Sequence, residues 1–398
     1  MSMLRRRVTI LGATGSVGLS TARVIEELRA GGDEIAVEAI AGGSNVAALA
    51  DMARRLRPRF VALAAADQLE AARVALKGLD VEVAAGPEAV VAAAERDAEW
   101  VMSAIVGAAG VRPTLAAARR GALIALANKE SLVCAGGLIQ AAVAKSGARI
   151  VPVDSEHNAI FQVLGDPAYV ERLTLTASGG PFRGWTRQAM AAATPEQARK
   201  HPNWDMGPKN SVDSATLMNK GLELIEAAHL FGFPVSKLDV LVHPQSIVHA
   251  LVSYCDGSVL AQMAEPDMRV PIAHALAWPE RAAVSTRRLD LARSGPLEFA
   301  APDLERFPAL GLAQRALEAG GAAPTLLNAA NEVAVAAFLE RRIGFLDIAG
   351  IVEVVLARHA AGGLGDIANS PSSFDEVMAV DTAGRVAAQA ETARRRAA

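Results

Sequence analysis

Short apolar runs alternate with longer segments of helical spacing throughout the first 153 residues of the chain. Strands that are apolar along their whole length are typical of parallel sheets, because crossover helices cover both faces of such a sheet. We therefore predict a doubly wound, Rossmann-like parallel sheet with right-handed crossovers in this part of the chain. The predicted strands lie within residues 8–11, 36–41, 60–64, 100–105, 123–127 and 150–153.

The sequence changes character after residue 153. The segment that follows carries glycine, serine and proline with hairpin-like strands, and the Asp256-Gly257 pair predicts a tight turn after Tyr254. Beyond it come a charged connector marked by prolines and then an alanine-rich stretch with helical spacing. We expect an α/β protein with a parallel-sheet domain at 1–153, a central α+β domain at 154–280, a connector at 281–308 and a C-terminal helical bundle at 309–398.

Composition excludes several classes of protein. With a net charge of −3 over 398 residues, the chain has no basic surface of the kind that binds nucleic acid. No stretch reaches the roughly 20 apolar residues of a membrane helix, and no signal-peptide stretch follows the N-terminal arginines. Two cysteines are too few for a disulfide scaffold. We expect a cytoplasmic protein that binds neither nucleic acid nor membranes.

A glycine-rich turn, Gly12-Ala13-Thr14-Gly15-Ser16-Val17-Gly18, follows the first predicted strand and opens a predicted helix at 16–30. Such glycines let the backbone approach a pyrophosphate, which the free N–H groups of the helix N-terminus bind. The spacing is a variant of the dinucleotide fingerprint, and a plain strand-to-helix connection is the alternative. The second strand leads into Gly43, Ser44 and Asn45 without an acid, which favours NADPH over NADH. A helix cap is the alternative role for Ser44 and Asn45.

Three carboxylates suggest a divalent-metal site. Asp154 and Glu156 follow the last predicted strand, where open α/β sheets place their ligands, and an extended chain would project both to one side. Glu223 lies in a predicted helix at 214–230. Its face is shared by Thr216, Asn219 and Lys220. Oxygen ligands favour Mg²⁺ or Mn²⁺ over zinc. The alternatives to a metal site are a solvated turn for Asp154 and Glu156 and an ordinary exposed helix stripe for Glu223.

Two segments of the central domain are candidates for binding a phosphate. Ser211-Val212-Asp213-Ser214 predicts a helix N-terminus with hydroxyl and amide donors close to Asn219 and Lys220. Ser178 lies in a flexible glycine turn that ends Gly179-Gly180-Pro181-Phe182. Between these segments, the mobile loop near 200–208 is predicted to be an active-site lid, with packing on the surface as the alternative.

The histidines are candidates for binding substrate and metal, and the cysteines bear on one of the alternative functions. Among the seven histidines, His201 and His249 are predicted substrate contacts, and His157 is predicted to support the metal. Structural roles are expected for His229 and His359. A semialdehyde dehydrogenase, one alternative, needs a nucleophilic cysteine, but neither Cys134 nor Cys255 has a basic neighbour in the sequence. A non-catalytic NADPH-binding regulator, the other alternative, would leave the acids and the phosphate candidates without a role.

Taken in order, these motifs closely resemble the 1-deoxy-D-xylulose 5-phosphate reductoisomerase family over nearly the whole chain. The resemblance rests on the glycine turn at 12–18, on Ala127-Asn128-Lys129-Glu130-Ser131 and on Val153-Asp154-Ser155-Glu156-His157-Asn158. It continues in Ser178-Gly179-Gly180-Pro181-Phe182, His201-Pro202-Asn203-Trp204-Asp205-Met206-Gly207 and residues 211–223. Further matches are His243-Pro244-Gln245-Ser246, Glu265-Pro266-Asp267-Met268-Arg269 and Leu327-Asn328-Ala329-Ala330-Asn331-Glu332.

The resemblance implies an enzyme of the non-mevalonate isoprenoid pathway. Such an enzyme uses a divalent metal, Mg²⁺ or Mn²⁺, to rearrange 1-deoxy-D-xylulose 5-phosphate and uses NADPH to reduce the product to 2-C-methyl-D-erythritol 4-phosphate. By resemblance, the N-terminal domain binds NADPH, the central domain binds metal and substrate, and the chain forms a homodimer.

The same resemblance implies roles for individual residues. The metal ligands would be Asp154, Glu156 and Glu223, and with Lys129 and His201 they would be the catalytic residues. The substrate phosphate would be bound by Ser178, Ser214, Asn219 and Lys220, with His249 near it. The rest of the substrate would contact Lys129, Ser155, Glu156 and His201 beneath a loop that carries Trp204 and Met206. The NADPH contacts would be Thr14, Gly15, Ser16, Val17, Gly43, Ser44, Asn45, Asn128, Glu130 and Gly207.

Two positions depart from the family pattern. Many relatives have Lys or Arg at Ser44, where a cation would pair with the 2′-phosphate of NADPH. Here Ser44, Asn45 and nearby amides would bind that phosphate, or Arg54 or Arg55 would reach it. A serine is common in place of Asp205, and an acid there is expected to alter closure of the lid.

Overall fold

The structure is a computed structural model that describes residues 3–204 and 206–397 and divides into two compact units; Asp205 and the expectation attached to it lie outside the described residues. The first unit is formed by Met1–Ser131, Ile139–Phe161 and Asp267–Arg288. The second is formed by Leu132–Leu138, Gln162–Pro266 and Leu289–Ala398. The domain boundaries given above stay predictions.

A seven-stranded parallel sheet with flanking helices forms the first unit. Its strands are β1 (Arg5–Leu11), β2 (Glu34–Gly42), β3 (Phe60–Leu63), β4 (Glu82–Ala85), β5 (Trp100–Ser103), β6 (Leu123–Leu126) and β7 (Arg149–Pro152). The helices between and after them are α1 (Ser16–Ala30), α2 (Val46–Leu56), α3 (Leu69–Ala75), α4 (Pro87–Glu95), α5 (Val111–Arg119), α6 (Lys129–Ser146) and α7 (Ser155–Val163). The strand order is β4-β3-β2-β1-β5-β6-β7, so the winding changes direction between β1 and β5.

The parallel sheet predicted from the sequence is confirmed, and every predicted apolar run contains a strand. The helix predicted at 16–30 is also confirmed. The prediction missed β4, one of the two edge strands of the sheet, whose four residues are exposed at Glu82 and half-buried after it. The other edge strand, β7, ends in two buried residues, whereas β4 has none and therefore lacks the apolar signal that marks the other six.

A four-stranded mixed sheet and a group of helices form the second unit. Its strands are β8 (Val170–Ala177), β9 (Leu238–Val242), β10 (Val248–Tyr254) and β11 (Val259–Met263), in the order β11-β10-β8-β9. Its helices are α8 (Arg187–Ala191), α9 (Pro195–Ala198), α10 (Pro208–Thr216), α11 (Met218–Phe231), α13 (Pro308–Ala319), α14 (Ala323–Leu339), α15 (Asp347–Ala360) and α16 (Phe374–Ala397). The helical C-terminal region is therefore confirmed. So is the turn at Asp256-Gly257, which joins the antiparallel pair β10 and β11.

One further helix, α12 (Arg269–Ala277), packs in the first unit although it follows the second sheet in sequence. Its Ile272 and Leu276 are fully buried in the core of that unit. The indole N–H of Trp100, on β5, donates to the carbonyl of Ala275 at 3.0 Å. Burial of the apolar face and this hydrogen bond together fix α12 against the sheet.

No helix within residues 3–204 and 206–397 combines the length and the apolar character that crossing a membrane requires.

Candidate active site

The glycine turn after β1 lies at the point where the winding of the sheet changes direction, which is where open α/β sheets bind their ligands. Gly12 has φ +84°, and a Cβ there would lie 2.4 Å from the carbonyl oxygen of Ala104, just beyond β5. A Cβ at Gly18 would lie 2.4 Å from the carbonyl oxygen of Gly12. Among the described residues, no side chain caps α1, whose N-cap is Gly15. The turn is therefore a compact cradle that leaves backbone N–H groups for an anion.

The segment after β2 is exposed and lies beside this cradle, because β2 pairs with β1. Asn45 is the N-cap of α2, and its side-chain oxygen accepts from the N–H of Ala48 at 3.1 Å. The capping alternative is therefore confirmed for Asn45. Arg54 donates to the carbonyl of Ala75 at 2.7 Å, and Arg55 donates to both oxygens of Glu26 at 2.7 Å. In the structure both arginines bond to these groups, and the reach of Arg54 or Arg55 to the 2′-phosphate of NADPH stays a prediction.

Asn128 and Glu130, at the start of α6, are buried and bonded to one another. The Asn128 oxygen accepts from the N–H of Ser131 at 3.0 Å, and its amide donates to Glu130 at 2.9 Å and to the carbonyl of Gly107 at 3.1 Å. A Cβ at Gly110 would lie 2.8 Å from that side chain. These contacts fix the backbone after β5 to the start of α6, close to the cradle.

Asp154 lies two residues after β7, and Lys129 follows the neighbouring strand β6. The Lys129 ammonium is 2.6 Å from the Asp154 carboxylate, and Lys129 is 7% exposed. This ion pair gives the buried ammonium its charge partner. The extended backbone predicted for 154–156 is wrong, because α7 begins at Ser155 and places Glu156 in its first turn. The Ser155 hydroxyl donates to Glu156 at 2.6 Å.

A polar pair supports the turn between β7 and α7. The Asn158 amide donates to the carbonyl of Pro152 at 2.8 Å and lies 3.1 Å from Nδ1 of His274, on α12. Burial, with a smaller contribution from the positive charge of Arg281, lowers the pKa of His274 to about 4. The ring is therefore neutral at pH 7, and its Nδ1 accepts from Asn158. This pair has no signal in the sequence, because nothing local links residues 116 positions apart.

The pKa of His274 predicts how stability depends on pH. In the unfolded chain a histidine binds a proton below about pH 6.5, whereas in the folded protein His274 stays neutral down to about pH 4. The unfolded state therefore binds more protons between these values, so the contribution of His274 to stability is present above pH 6.5 and is lost as the pH falls towards 4. The unfolding midpoint should fall over this range, and His274→Gln should make the fall shallower. Equal slopes for both proteins would contradict the prediction.

In the second unit, a tight turn brings together two of the predicted phosphate contacts. Ser178 directly follows β8 and is succeeded by Gly179 and Gly180, with φ +82° and +67°. A Cβ at Gly180 would lie 2.6 Å from the carbonyl oxygen of Ser214, on α10, and 3.0 Å from the Cα of Ala215. Glycine at 180 therefore permits the close approach of the turn to the helix that carries Ser214.

The hydrogen bonds of Ser178 and His201 define which atoms donate. Nδ1 of His201 accepts from the N–H groups of Asn203 at 3.2 Å and Trp204 at 2.9 Å, so its proton is on Nε2. That Nε2 lies 2.9 Å from the Ser178 hydroxyl oxygen, which also accepts from the N–H of Gly180 at 3.1 Å. With both lone pairs of its oxygen engaged, Ser178 has its own proton left to donate. A donor in this position suits an anion.

The single helix predicted at 214–230 is wrong. Leu217, with φ +61°, separates α10 from α11, so Ser214 and Glu223 lie on different helices. The helix N-terminus predicted at 211–214 is also wrong, because α10 begins at Pro208. The N-terminus nearest to the predicted phosphate residues is that of α11, whose first turn contains Asn219 and Lys220.

Lys220 and Glu223 are buried, at 3% and 2% exposure, and form an ion pair with each other on α11. Asn219 donates to the other oxygen of Glu223. Because both residues are buried, the alternative of an ordinary exposed helix stripe is wrong. Burying two charged groups costs desolvation free energy, so such a pair is expected where it binds a ligand or specifies a conformation.

Trp204, Met206 and Gly207 belong to the loop that the structure describes on either side of residue 205. The Trp204 ring lies 6.2 Å from the ring of His249, which is buried. The Met206 carbonyl accepts from Ser211 at 3.3 Å, and Gly207 is the exposed N-cap of α10. His229 packs against Gly136, where a Cβ would lie 2.6 Å from its ring, and burial lowers its pKa.

The structure therefore describes two groups of predicted site residues. In the first unit, the cradle, the segment after β2, Lys129, Asp154 and Glu156 all lie at the carboxyl ends of the parallel strands. The second unit contributes the turn at Ser178, the ends of α10 and α11, and the His201 loop. The first group suits a dinucleotide and a cation, and the second suits a phosphate.

Three family models match the chain. The model of 1-deoxy-D-xylulose 5-phosphate reductoisomerase matches residues 8–136, the C-terminal domain model of that enzyme matches 150–231, and the DXP reductoisomerase C-terminal domain matches 263–387. Two similar proteins are the 1-deoxy-D-xylulose 5-phosphate reductoisomerases of Rhodospirillum centenum and Caulobacter vibrioides. The first is 59% identical, covering 96% of this chain and 92% of the relative, and the second is 55% identical, covering 99% and 98%.

Solved structures agree with these relatives. The Zymomonas mobilis enzyme in complex with NADPH is 49% identical, with a TM-score of 0.89, over 98% of this chain and 99% of that one. A DOX-P reductoisomerase in complex with NADPH, fosmidomycin and magnesium is 41% identical, with a TM-score of 0.92, over 98% of both chains.

Proposed function

The chain belongs to the 1-deoxy-D-xylulose 5-phosphate reductoisomerase family, and from this premise we propose which of its residues carry the activity. The family reaction converts 1-deoxy-D-xylulose 5-phosphate to 2-C-methyl-D-erythritol 4-phosphate with NADPH and a divalent metal, and this protein is such an enzyme. The observation that carries the assignment is identity above 50% over almost the whole length of both chains.

For the metal, the proposed ligands are Asp154, Glu156 and Glu223. Asp154 and Glu156 follow β7 within two residues of each other, and their oxygens are the donors that Mg²⁺ and Mn²⁺ prefer. Glu223 is a buried acid whose present partners, Lys220 and Asn219, leave it in a polar setting. The donor set therefore fits a hard cation, and His157, proposed to support it, follows the first two acids on α7.

When bound, the metal supplies Lewis acidity to substrate oxygens, and NADPH supplies hydride. Lys129 is proposed to bind the substrate with its ammonium held in place by Asp154. Ser155 is proposed to contact the substrate next to Glu156. His201 is proposed to act through Nε2, the ring nitrogen that carries the proton. Fixing these groups before the substrate arrives reduces the reorganisation that the reaction requires.

For NADPH, the proposed site is the cradle between β1 and α1. Its backbone N–H groups at the start of α1, and the close backbone packing that glycine permits at 12 and 18, fit the binding of a pyrophosphate. The proposed contacts are Thr14, Gly15, Ser16, Val17, Gly43, Ser44, Asn45, Asn128, Glu130 and Gly207. Ser44 and the amide of Asn45 are the proposed partners of the 2′-phosphate, with Arg54 or Arg55 as the alternative; in the structure these arginines bond to the carbonyl of Ala75 and to Glu26.

For the substrate phosphate, the proposed donors are Ser178, Ser214, Asn219 and Lys220, with His249 beside them. Ser178 is proposed to donate its hydroxyl proton to the phosphate, because its contacts with His201 and Gly180 use its oxygen as the acceptor. Lys220 contributes charge from the first turn of α11. Trp204 and Met206 are proposed to cover the substrate from the loop near 200–208. Binding of a phosphate away from the reacting carbons orients the substrate.

Purified protein should oxidise NADPH only when 1-deoxy-D-xylulose 5-phosphate and Mg²⁺ or Mn²⁺ are both present, as followed by absorbance of the reduced nicotinamide. Exhaustive chelation should abolish the reaction, and added metal should restore it, because the substrate oxygens need a cation to stabilise developing charge. Full activity after chelation would contradict the role of the metal.

The active enzyme is proposed to be a cytoplasmic homodimer. The edge strand β11 exposes Val259 at 53% and Leu260 at 48%, and Tyr169 is 59% exposed. Exposed apolar groups on an edge strand invite pairing with another chain, and a second copy of this chain is the proposed partner. A monomer mass by sedimentation would contradict the dimer.

The cytoplasm is proposed because Cys134 and Cys255 form no disulfide within the described residues.

A further inference from the structure

A buried histidine shapes the turn that follows β9. His243 is fully buried; its Nδ1 lies 2.8 Å from the carbonyl of Glu298, and its Nε2 accepts from the N–H groups of Ile247 and Val248 at 3.2 and 3.1 Å. The ring stacks on Phe299 at 4.6 Å. Because Nε2 accepts twice, the proton is on Nδ1 and is donated to Glu298. The histidine therefore fixes both ends of the turn at 243–246.

This turn lies beside the predicted phosphate site. The N–H of His243 donates to the carbonyl of Ala177 at 2.7 Å, one residue before Ser178. The N–H of Ser246 donates to the carbonyl of His243 at 3.1 Å, and Ser246 has φ +52°, a conformation that costs energy for a residue with a side chain. The turn thus holds Ser246 and the carbonyl of Pro244 in a fixed orientation.

The carboxamide of Asn203 binds to both of these groups. Its Nδ2 donates to the carbonyl of Pro244 at 2.8 Å and to the hydroxyl oxygen of Ser246 at 2.7 Å. The backbone N–H groups of Asn203 and Trp204 donate to His201, whose Nε2 in turn bonds to Ser178. One asparagine side chain therefore connects the loop segment 201–204 to the turn at 243–246.

We propose that Asn203 is a positioning residue of the reaction, which latches the segment 201–204 onto the 243–246 turn and so holds His201 and Trp204 over the phosphate site. The inference rests on the proposed role of the loop near 200–208. The ring of His201 bonds to Ser178 and to the N–H groups of Asn203 and Trp204, so the position of the ring depends on the position of this backbone segment. The two bonds of the Asn203 carboxamide attach the segment to the turn, as preorganisation of a binding group requires.

The test uses Asn203→Ala, Ser246→Ala and the double variant, with Gln245→Ala as the matched control. Gln245 lies in the same turn, but its side chain bonds to Glu298. Asn203→Ala should raise KM for 1-deoxy-D-xylulose 5-phosphate about tenfold, the loss expected for two neutral hydrogen bonds, with KM for NADPH unchanged. Ser246→Ala should raise this KM about threefold. The double variant should have the same KM as Asn203→Ala, because both substitutions disrupt the same latch. Gln245→Ala should match the wild type.

Hydrogen exchange of the resting protein gives a second readout that needs no substrate. The N–H groups of Asn203 and Trp204 should exchange about tenfold faster in Asn203→Ala than in the control. Unchanged exchange and KM, or multiplicative effects in the double variant, would overturn the latch. A wild-type enzyme that fails to oxidise NADPH with substrate and metal would instead overturn the proposed function, whatever the exchange rates. If Asn203→Ala does not fold, Ser246→Ala against Gln245→Ala decides the question.

Discussion

Replacement of Asp154 by asparagine should lower kcat by about a thousandfold, the scale of the several kcal/mol that a metal contributes to stabilising developing charge. The carboxamide keeps the shape of the side chain but not its charge, which weakens its attraction for a divalent cation. It also deprives Lys129 of its ion-pair partner at 2.6 Å. Turnover should be measured against increasing Mg²⁺ or Mn²⁺, where the variant should need a far higher concentration for half-maximal rate. Asp80→Asn, at an exposed aspartate of the same unit, is the matched control.

The same experiment tests whether Glu223 shares the metal with Asp154. Glu223→Gln alone should cause a loss of similar size. If both acids bind one cation, the double variant should be little slower than either single variant, because groups that act as a unit are strongly non-additive. If the losses of kcat multiply in the double variant, Glu223 does not bind the same metal as Asp154. An unchanged kcat and metal dependence in Asp154→Asn would remove Asp154 as well. Circular dichroism of each variant shows whether its fold is retained.

The sequence predicted the elements whose signal is local. The apolar runs revealed six strands because a strand covered on both faces is apolar along its whole length. The glycine turn was predictable because close backbone approach demands glycine at 12 and 18, as the structure shows. By contrast, the helix break at Leu217 carries no glycine or proline, and a leucine at φ +61° has no sequence signature. Spacing alone therefore merged α10 and α11.

Contacts between distant segments could not be predicted from the sequence, for a different reason. Asn158 and His274 support the turn that carries Asp154 and Glu156, yet they lie on α7 and α12, and only the packing of α12 in the first unit brings them together. Asn203 and Ser246 are likewise 43 residues apart. Residue types at these positions are ordinary for loops and caps. Such positions become functional through their partners, which a single sequence does not specify.

Replacement of Gly180 by alanine should raise KM for 1-deoxy-D-xylulose 5-phosphate by about a hundredfold. The backbone at φ +67° is unfavourable for alanine by about 1–2 kcal/mol. The larger effect is steric, since the new Cβ would lie 2.6 Å from the carbonyl oxygen of Ser214 and 3.0 Å from the Cα of Ala215. Backbone atoms have to separate to relieve this overlap, so Ser178 and Ser214 would no longer present their hydroxyls to the same phosphate. Loss of two such charge-assisted hydrogen bonds, at about 1.5–3 kcal/mol each, accounts for an effect of this size.

Gly184→Ala is the matched control for this experiment. Gly184 lies four residues further along the same loop and does not have positive φ, and a Cβ added there would have no atom of the described residues within 4 Å. Its KM should equal that of the wild type, and KM for NADPH should be unchanged in both variants because the cradle belongs to the first unit. KM is the decisive quantity, since it does not depend on the fraction of protein that remains folded, whereas kcat does. Equal KM values in the two variants would mean that Ser178 and Ser214 do not bind the phosphate together.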